Sequence, residues 1–324
     1  MKTIIIAFVS ALLFSILFGA VFIKVLKKKR ADQPIYEYVY LHKGKSGTPT
    51  FGGFIIYLPL FVLFVLFGCA KNENARLILT ISIAFMSVGF IDDYLKIASD
   101  KNEGLKPYQK MILLFVISVL YGFIAYKKGI TGFYVPFSKI KTDLGMWSAF
   151  IITFVFIAIS NCVNLTDGLD GLASSVSIVY VLAAAAIIYI EAVAENNTVN
   201  IYEIMTLSAL SVGCFCGFLC FNLNPARIFM GDTGSLATGG LLGGICVFTG
   251  NSFYIPFIGI MFVLSGISVI MQVLHYKRTK NRIFKMAPLH HHLELSGVSE
   301  CKIAFYYSIV TLVVSLIVIF TMVM

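Results

Sequence analysis

The sequence predicts an all-α, polytopic integral membrane protein with about ten transmembrane helices, and three observations carry that prediction. Of its 324 residues, 59% are hydrophobic and only 13% charged, against about 25% charged in soluble domains. The apolar residues fall into runs near 3–26, 51–70, 76–95, 111–126, 147–163, 171–192, 204–221, 234–250, 253–275 and 303–324. Most approach the roughly 20 residues a helix needs to cross a bilayer. Finally, basic residues concentrate on alternate connections. The stretches 27–50, 96–110, 161–171, 222–233 and 276–302, with the adjoining span ends, hold 18 of the 25 lysines and arginines. The others are Lys2, Lys71, Arg76, Lys127, Lys128, Lys139 and Lys141. The positive-inside rule makes the rich loops cytoplasmic and both termini extracytoplasmic.

This topology sets expectations for function. Eleven of the 16 acids share the basic face, so any active site is expected at the cytoplasmic face. The net charge of +9 then reflects topology and anionic lipid or substrate, with no nucleic-acid partner expected. No internal repeat or low-complexity tract divides the chain, which reads as a single membrane domain over 1–324.

In chain order, the first run ends in Lys27-Lys28-Lys29-Arg30 and lacks a small-residue cleavage site, so it reads as a retained anchor. The loop before the second run contains Lys45-Ser46-Gly47-Thr48-Pro49-Thr50-Phe51-Gly52-Gly53. Its Gly and Pro residues turn the backbone tightly, and Lys45 offers a charge for phosphate; an ordinary helix start with Thr capping explains the same residues. The third run closes on Gly89-Phe90-Ile91-Asp92-Asp93-Tyr94-Leu95-Lys96. Two adjacent carboxylates at the mouth of a span are costly to desolvate. Bound Mg²⁺ with a phosphorylated substrate would account for them, and acids resting in water are the bland alternative. Lys96 lies one helical turn beyond the pair, with Lys110 further along the loop.

Residues 127–146 combine Gly, Pro, Thr and aromatics, as a small hairpin would. The next inner loop, Asn161 to Gly171, has no basic residue; Asn164, Asp167 and Asp170 offer groups for a nucleobase, a ribose or a metal. It lacks the length and downstream Glu of an EF-hand. The fourth loop runs from Phe221 through Asn222 and Phe229 to Asp232-Thr233-Gly234-Ser235. Aspartic proteases need two Asp-Thr-Gly segments in β-rich lobes, whereas this chain has one between helices. Asp232 instead reads as a helix cap or part of a metal and phosphate site. The fifth loop carries Pro288-Leu289-His290-His291-His292-Leu293-Glu294 after a basic run. Three consecutive histidines cannot all face one metal from a regular helix, so phosphate recognition fits better than zinc. The seven cysteines lie mostly inside apolar runs, and Cys214, Cys216 and Cys220 read as a packed helix face, not a metal clip.

Thr48-Pro49-Thr50-Phe51-Gly52-Gly53, Asp92-Asp93-Tyr94-Leu95-Lys96, Asn164 to Gly171, Phe229 to Ser235 and Ala287 to Glu294 together, in this order, resemble the polyprenyl-phosphate N-acetylhexosamine-1-phosphate transferases. The resemblance covers nearly the whole chain. It implies transfer of a sugar phosphate from a UDP-linked donor to undecaprenyl phosphate, with Mg²⁺, in a bacterial cytoplasmic membrane. The Pro-Leu-His-His-His-Leu-Glu stretch implies UDP-N-acetylmuramoyl-pentapeptide as donor; the alternative donor is UDP-N-acetylglucosamine. By motif match, Asp92, Asp93, Asp232 and His290 are the expected catalytic residues, with Asp232 the metal ligand. Lys45, Thr50, Lys96, Lys110, Asn164, Asp167, Gly168, Leu169, Asp170, Asn222, Phe229, His291 and His292 are expected to bind substrate. Two mechanisms stay open: direct attack by the lipid phosphate with Asp92 as base, and an aspartate as covalent nucleophile. An ion-coupled transporter is the reading from another class, and the sequence leaves oligomeric state open, a homodimer included.

Overall fold

The computed structural model describes residues 2–28, 47–98, 104–138, 140–198 and 201–324. It is built almost wholly of helices: α1 (Lys2–Lys28), α2 (Gly53–Leu66), α3 (Glu73–Ala98), α4 (Pro107–Lys127), α5 (Trp147–Thr166), α6 (Leu172–Ala194), α7 (Tyr202–Asn222), α8 (Gly231–Val247), α9 (Ile255–Ile258), α10 (Ile260–Thr279), α11 (Leu289–Glu294) and α12 (Glu300–Val323). Each of the ten apolar runs contains a helix, and eight of the described helices are long and apolar enough to cross a membrane. Two runs give shorter helices. Gly68 turns into the left-handed region (φ 73°), so α2 stops after 14 residues and a 3-10 turn, Cys69–Lys71, follows. The predicted hairpin is present: β1 (Gly132–Tyr134) pairs antiparallel with β2 (Lys141–Asp143), Phe133 opposite Thr142.

α8 is short, 17 residues, and enclosed by its neighbours. Every residue in it except Asp232 is buried, so it is the central stave of the bundle. Glycine lets its neighbours approach. A Cβ on Gly239 would lie 2.3 Å from Cα of Ser160 in α5, and one on Gly240 would lie 3.0 Å from Cα of Ser82 in α3. Without a hydrophobic drive between helices in lipid, such close backbone packing is a main source of cohesion. The outer helices show the opposite pattern. Leu13, Leu17 and Val21 of α1, Phe115 and Val116 of α4, and Leu316, Ile317 and Phe320 of α12 are exposed, as a lipid-facing surface requires.

The same close packing fixes the end of α3. A Cβ on Gly89 would fall 2.0 Å from the carbonyl oxygen of Asp232. The backbones of α3 and α8 therefore touch one turn before Asp92 and Asp93.

Candidate active site

Asp92 and Asp93 lie in the C-terminal part of α3 as buried side chains, and Asp232 occupies the first turn of α8. The three carboxylates each offer an oxygen within 4.8 Å of the others. Adjacent acids project in different directions from a helix, so their two roles separate. Asp93 is given over to α8: its Oδ1 accepts from the Asp232 N–H at 3.2 Å, and its Oδ2 accepts from the Thr233 N–H at 2.8 Å and the Thr233 hydroxyl at 2.7 Å. It thereby caps a helix N-terminus from a different helix, satisfying donors that α8 leaves unpaired. Asp92 faces the loop before α4, where its Oδ1 accepts from the Leu105 N–H at 2.7 Å.

Two lysines hold the acids together. Lys96 Nζ lies 2.5 Å from Asp92, 2.9 Å from Asp232 and 3.9 Å from Asp93. Lys110, from the first turn of α4, reaches the same Asp232 oxygen at 2.7 Å. On the other side, Asn164 Nδ2 donates to Asp232 Oδ1 at 2.6 Å and to the Ser235 hydroxyl at 2.8 Å. Asp232 is thus the point at which α3, α4, α5 and α8 meet.

The remaining expected site residues sort by distance from this point. Thr50 is buried, and a Cβ on Gly231 would meet its hydroxyl at 2.5 Å and Asp93 Oδ2 at 2.6 Å. Its segment is pinned there by Gly52 N–H to Phe229 O at 2.8 Å, Gly53 N–H to Met230 O at 3.0 Å and Phe229 N–H to Pro49 O at 2.9 Å. Lys45 lies outside the described residues. Asp167 follows α5; burial and then the charges of Asp232, Asp93 and Asp170 raise its carboxyl well above the usual carboxylate range.

Gly168 backs onto the histidines, since a Cβ there would lie 2.4 Å from His290 Nε2 and 3.1 Å from His291 Nε2. Leu169 is buried beside it in the core. His290 is fully buried, its ring 4.4 Å from that of His291 and 6.3 Å from Tyr307. His291 Nδ1 pairs with Glu294 at 3.0 Å. His292 turns elsewhere, accepting the Lys285 N–H at 3.1 Å and meeting Phe284 edge-on.

Asp170 and Asn222 shape the loops. Asp170 Oδ2 accepts from Asn224 Nδ2 and the Ala226 N–H, both at 3.0 Å. Asn222 accepts from the Gly171 N–H at 3.1 Å and donates to Ile228 O at 3.0 Å. Sequence reasoning missed Thr233, Ser235, Glu294 and Glu300, whose carboxylate accepts the Asp170 N–H at 3.1 Å. For Glu294 the signal was available: it stands three residues after His291, one helical turn away.

Carboxylates, ammonium groups and imidazoles gathered at one end of a helical membrane bundle define a class, the membrane-embedded transferases of phosphorylated groups. Residues 75–250 match the family model for glycosyl transferase family 4, and the chain belongs to that family. Three of its relatives carry the name phospho-N-acetylmuramoyl-pentapeptide-transferase. The protein from Clostridium botulinum (strain Alaska E43 / Type E3) is 39% identical, over 97% of this chain and 95% of its own length. That from Helicobacter hepaticus is 37% identical over 96% and 92%, and that from Campylobacter lari 40% identical over 96% and 92%.

Proposed function

We propose that the protein transfers phospho-N-acetylmuramoyl-pentapeptide from its UDP-linked donor to undecaprenyl phosphate, giving lipid I and UMP for peptidoglycan synthesis. Similarity to the named transferases along nearly the whole chain supports the reaction. The structural observation that carries it is the meeting of Asp92, Asp93 and Asp232 with Lys96 and Lys110. Three like charges this close are unfavourable alone and call for a cation.

The residues fit Mg²⁺. The donors are hard carboxylate oxygens, and the Lys96 ammonium sits among all three where a cation is wanted. Asp232 would be the principal ligand, with Asp92 and Asp93 beside it. The bound ion would neutralise charge on the donor's pyrophosphate. Asp92 takes the proton of the lipid phosphate. The freed oxygen attacks the β-phosphorus of the donor, the bond from that phosphorus to the bridging oxygen breaks, and UMP leaves with the electron pair. Lys96 and Lys110 turn from Asp232 to the phosphates, while Asp93 keeps the first turn of α8 in place. Thr50, Asn164, Asp167, Gly168, Leu169, Asp170, Asn222 and Phe229, with Lys45, form the donor side. His290, backed by His291, closes it; His292 braces the loop.

We place this end of the bundle at the cytoplasmic face of a bacterial inner membrane, with both termini on the other side and 1–324 acting as one domain. The distribution of basic residues supports that orientation. UMP release by the purified chain tests the proposal. It should require the muramoyl donor, undecaprenyl phosphate and Mg²⁺ together, and UDP-N-acetylglucosamine should not substitute. Turnover undiminished by chelation would remove the metal from the mechanism. A labelled sugar phosphate trapped on the protein without lipid acceptor would replace direct attack with a covalent route.

A further inference from the structure

Glu294 lies outside the aspartate cluster, yet only 7% of its side chain is exposed. Burying a carboxylate is costly unless a specific partner offsets it. Its Oε2 lies 3.0 Å from Nδ1 of His291, one helical turn back in α11. An ionised carboxylate only accepts hydrogen bonds, so the proton between them belongs to His291. With Nδ1 committed in this way, Nε2 is the ring nitrogen that remains for other contacts.

That nitrogen faces the loop after α5. A Cβ on Gly168 would lie 3.1 Å from His291 Nε2 and 2.4 Å from His290 Nε2, so two imidazole edges converge on one backbone position. The rings are only 4.4 Å apart, and rotation of one displaces the other. His290 is fully buried, whereas 12% of the His291 side chain is exposed. Of the two, His291 has the surface a ligand can reach, and Glu294 holds its opposite edge. The segment itself is placed by other groups. At the start of α11 the Leu289 N–H donates to Ser268 Oγ at 3.0 Å. At its end the Ser296 and Val298 N–H groups donate to Leu293 O at 3.0 and 3.2 Å, and the Gly297 N–H to Glu294 O at 2.9 Å. None of these bonds involves the Glu294 carboxylate, so an amide at this position leaves them intact.

We propose that Glu294 is a positioning residue for the transfer: it fixes His291 through Nδ1 and so aims Nε2 at the phosphates of the donor. Carboxylate–imidazole pairs serve this purpose wherever a histidine must present one nitrogen in a fixed direction. As an imidazolium held in this way, the ring donates Nε2–H to a phosphate oxygen while charge builds on the departing UMP. The fixed ring also limits the rotation of His290 beside it. This role rests on the transferase reading, in which Gly168 lines the donor side.

A double-mutant cycle on UMP release by the purified full chain tests this role. Glu294→Gln should lower kcat about thirtyfold, with KM for undecaprenyl phosphate within about twofold of the unaltered protein. In a His291→Asn background the same substitution should cost less than about twofold, because the group it acts through is gone. An unchanged kcat in Glu294→Gln overturns the proposal, and so does the full loss persisting in the His291→Asn background. Nitrogen-15 NMR of histidine-labelled protein gives a reading that needs neither turnover nor a folded Glu294 variant. With the His291 signals identified by their loss in His291→Asn, Nδ1 should carry a proton in the unaltered protein. A neutral His291 protonated on Nε2 alone overturns the proposal while leaving the transferase reading in place. Absence of UMP release from the unaltered chain would overturn that reading and this role together.

Discussion

The two ends of the bundle handle charge differently. At the far end, acids and lysines pair off across short distances: Lys128 with Glu73 at 2.5 Å, and Lys141 with Glu195 at 3.8 Å. At the near end three acids converge on one point, and two lysines converge with them. Pairing exposed charges costs little and contributes little. Convergence of like charges at a buried point is expensive, and a fold built for stability alone would disperse them. The near end therefore bears the mark of function, and the far end that of charges paired at an interface.

Four substitutions put that contrast to the test. Asp232→Asn removes the charge on which both lysines converge; UMP release should fall by about 10³-fold, with thermal unfolding little changed. Activity within tenfold of the unaltered enzyme would take Asp232 out of the site. Gly89→Ala forces α3 away from the Asp232 carbonyl, which its Cβ would meet at 2.0 Å. A displacement near 1 Å at a catalytic group costs roughly 10²-fold in rate, so turnover should drop by that order with Asp232 itself intact. Thr233→Val deletes the hydroxyl that donates to Asp93 at 2.7 Å. One hydrogen bond to a charged group contributes about 1.5–3 kcal/mol, visible as a lower melting temperature and roughly tenfold weaker activity. Glu73→Gln, at the far end, breaks an exposed pair with Lys128 and should change neither melting nor turnover. A large effect there would erase the distinction between the ends.

Much of this was legible in the sequence, because the signals involved are local. Hydropathy located the helix-forming runs, since a lipid-facing segment must satisfy its own backbone. It could not show that α8 is enclosed by protein: Gly239, Gly240 and their neighbours look equally apolar in lipid or in a core. For the site, Asp92, Asp93 and Asp232 stood out as costly residues at span ends. Their division of labour did not. Whether Asp93 caps α8 or faces substrate depends on the rotation of α3 against α8, which Gly89 sets by a contact across 143 positions. Asp170 and Asn222, equally conspicuous as polar loop residues, prove to be bonded to neighbouring loops.

The cap that Asp93 places on α8 bears on how the protein is made. Acids at a helix C-terminus face the negative pole of their own helix. Asp92 and Asp93 lie in the C-terminal part of α3, and the N–H groups of Asp232 and Thr233 bring the positive pole of α8 to Asp93. Those donors arrive 139 and 140 residues later in the chain. Chains grow from the N-terminus at roughly 5–20 residues per second. For several seconds of synthesis, the inserted first half of the bundle thus carries Asp93 without its donors from α8. The bonds that fix Asp93 therefore form only once the central helix has packed beside α3.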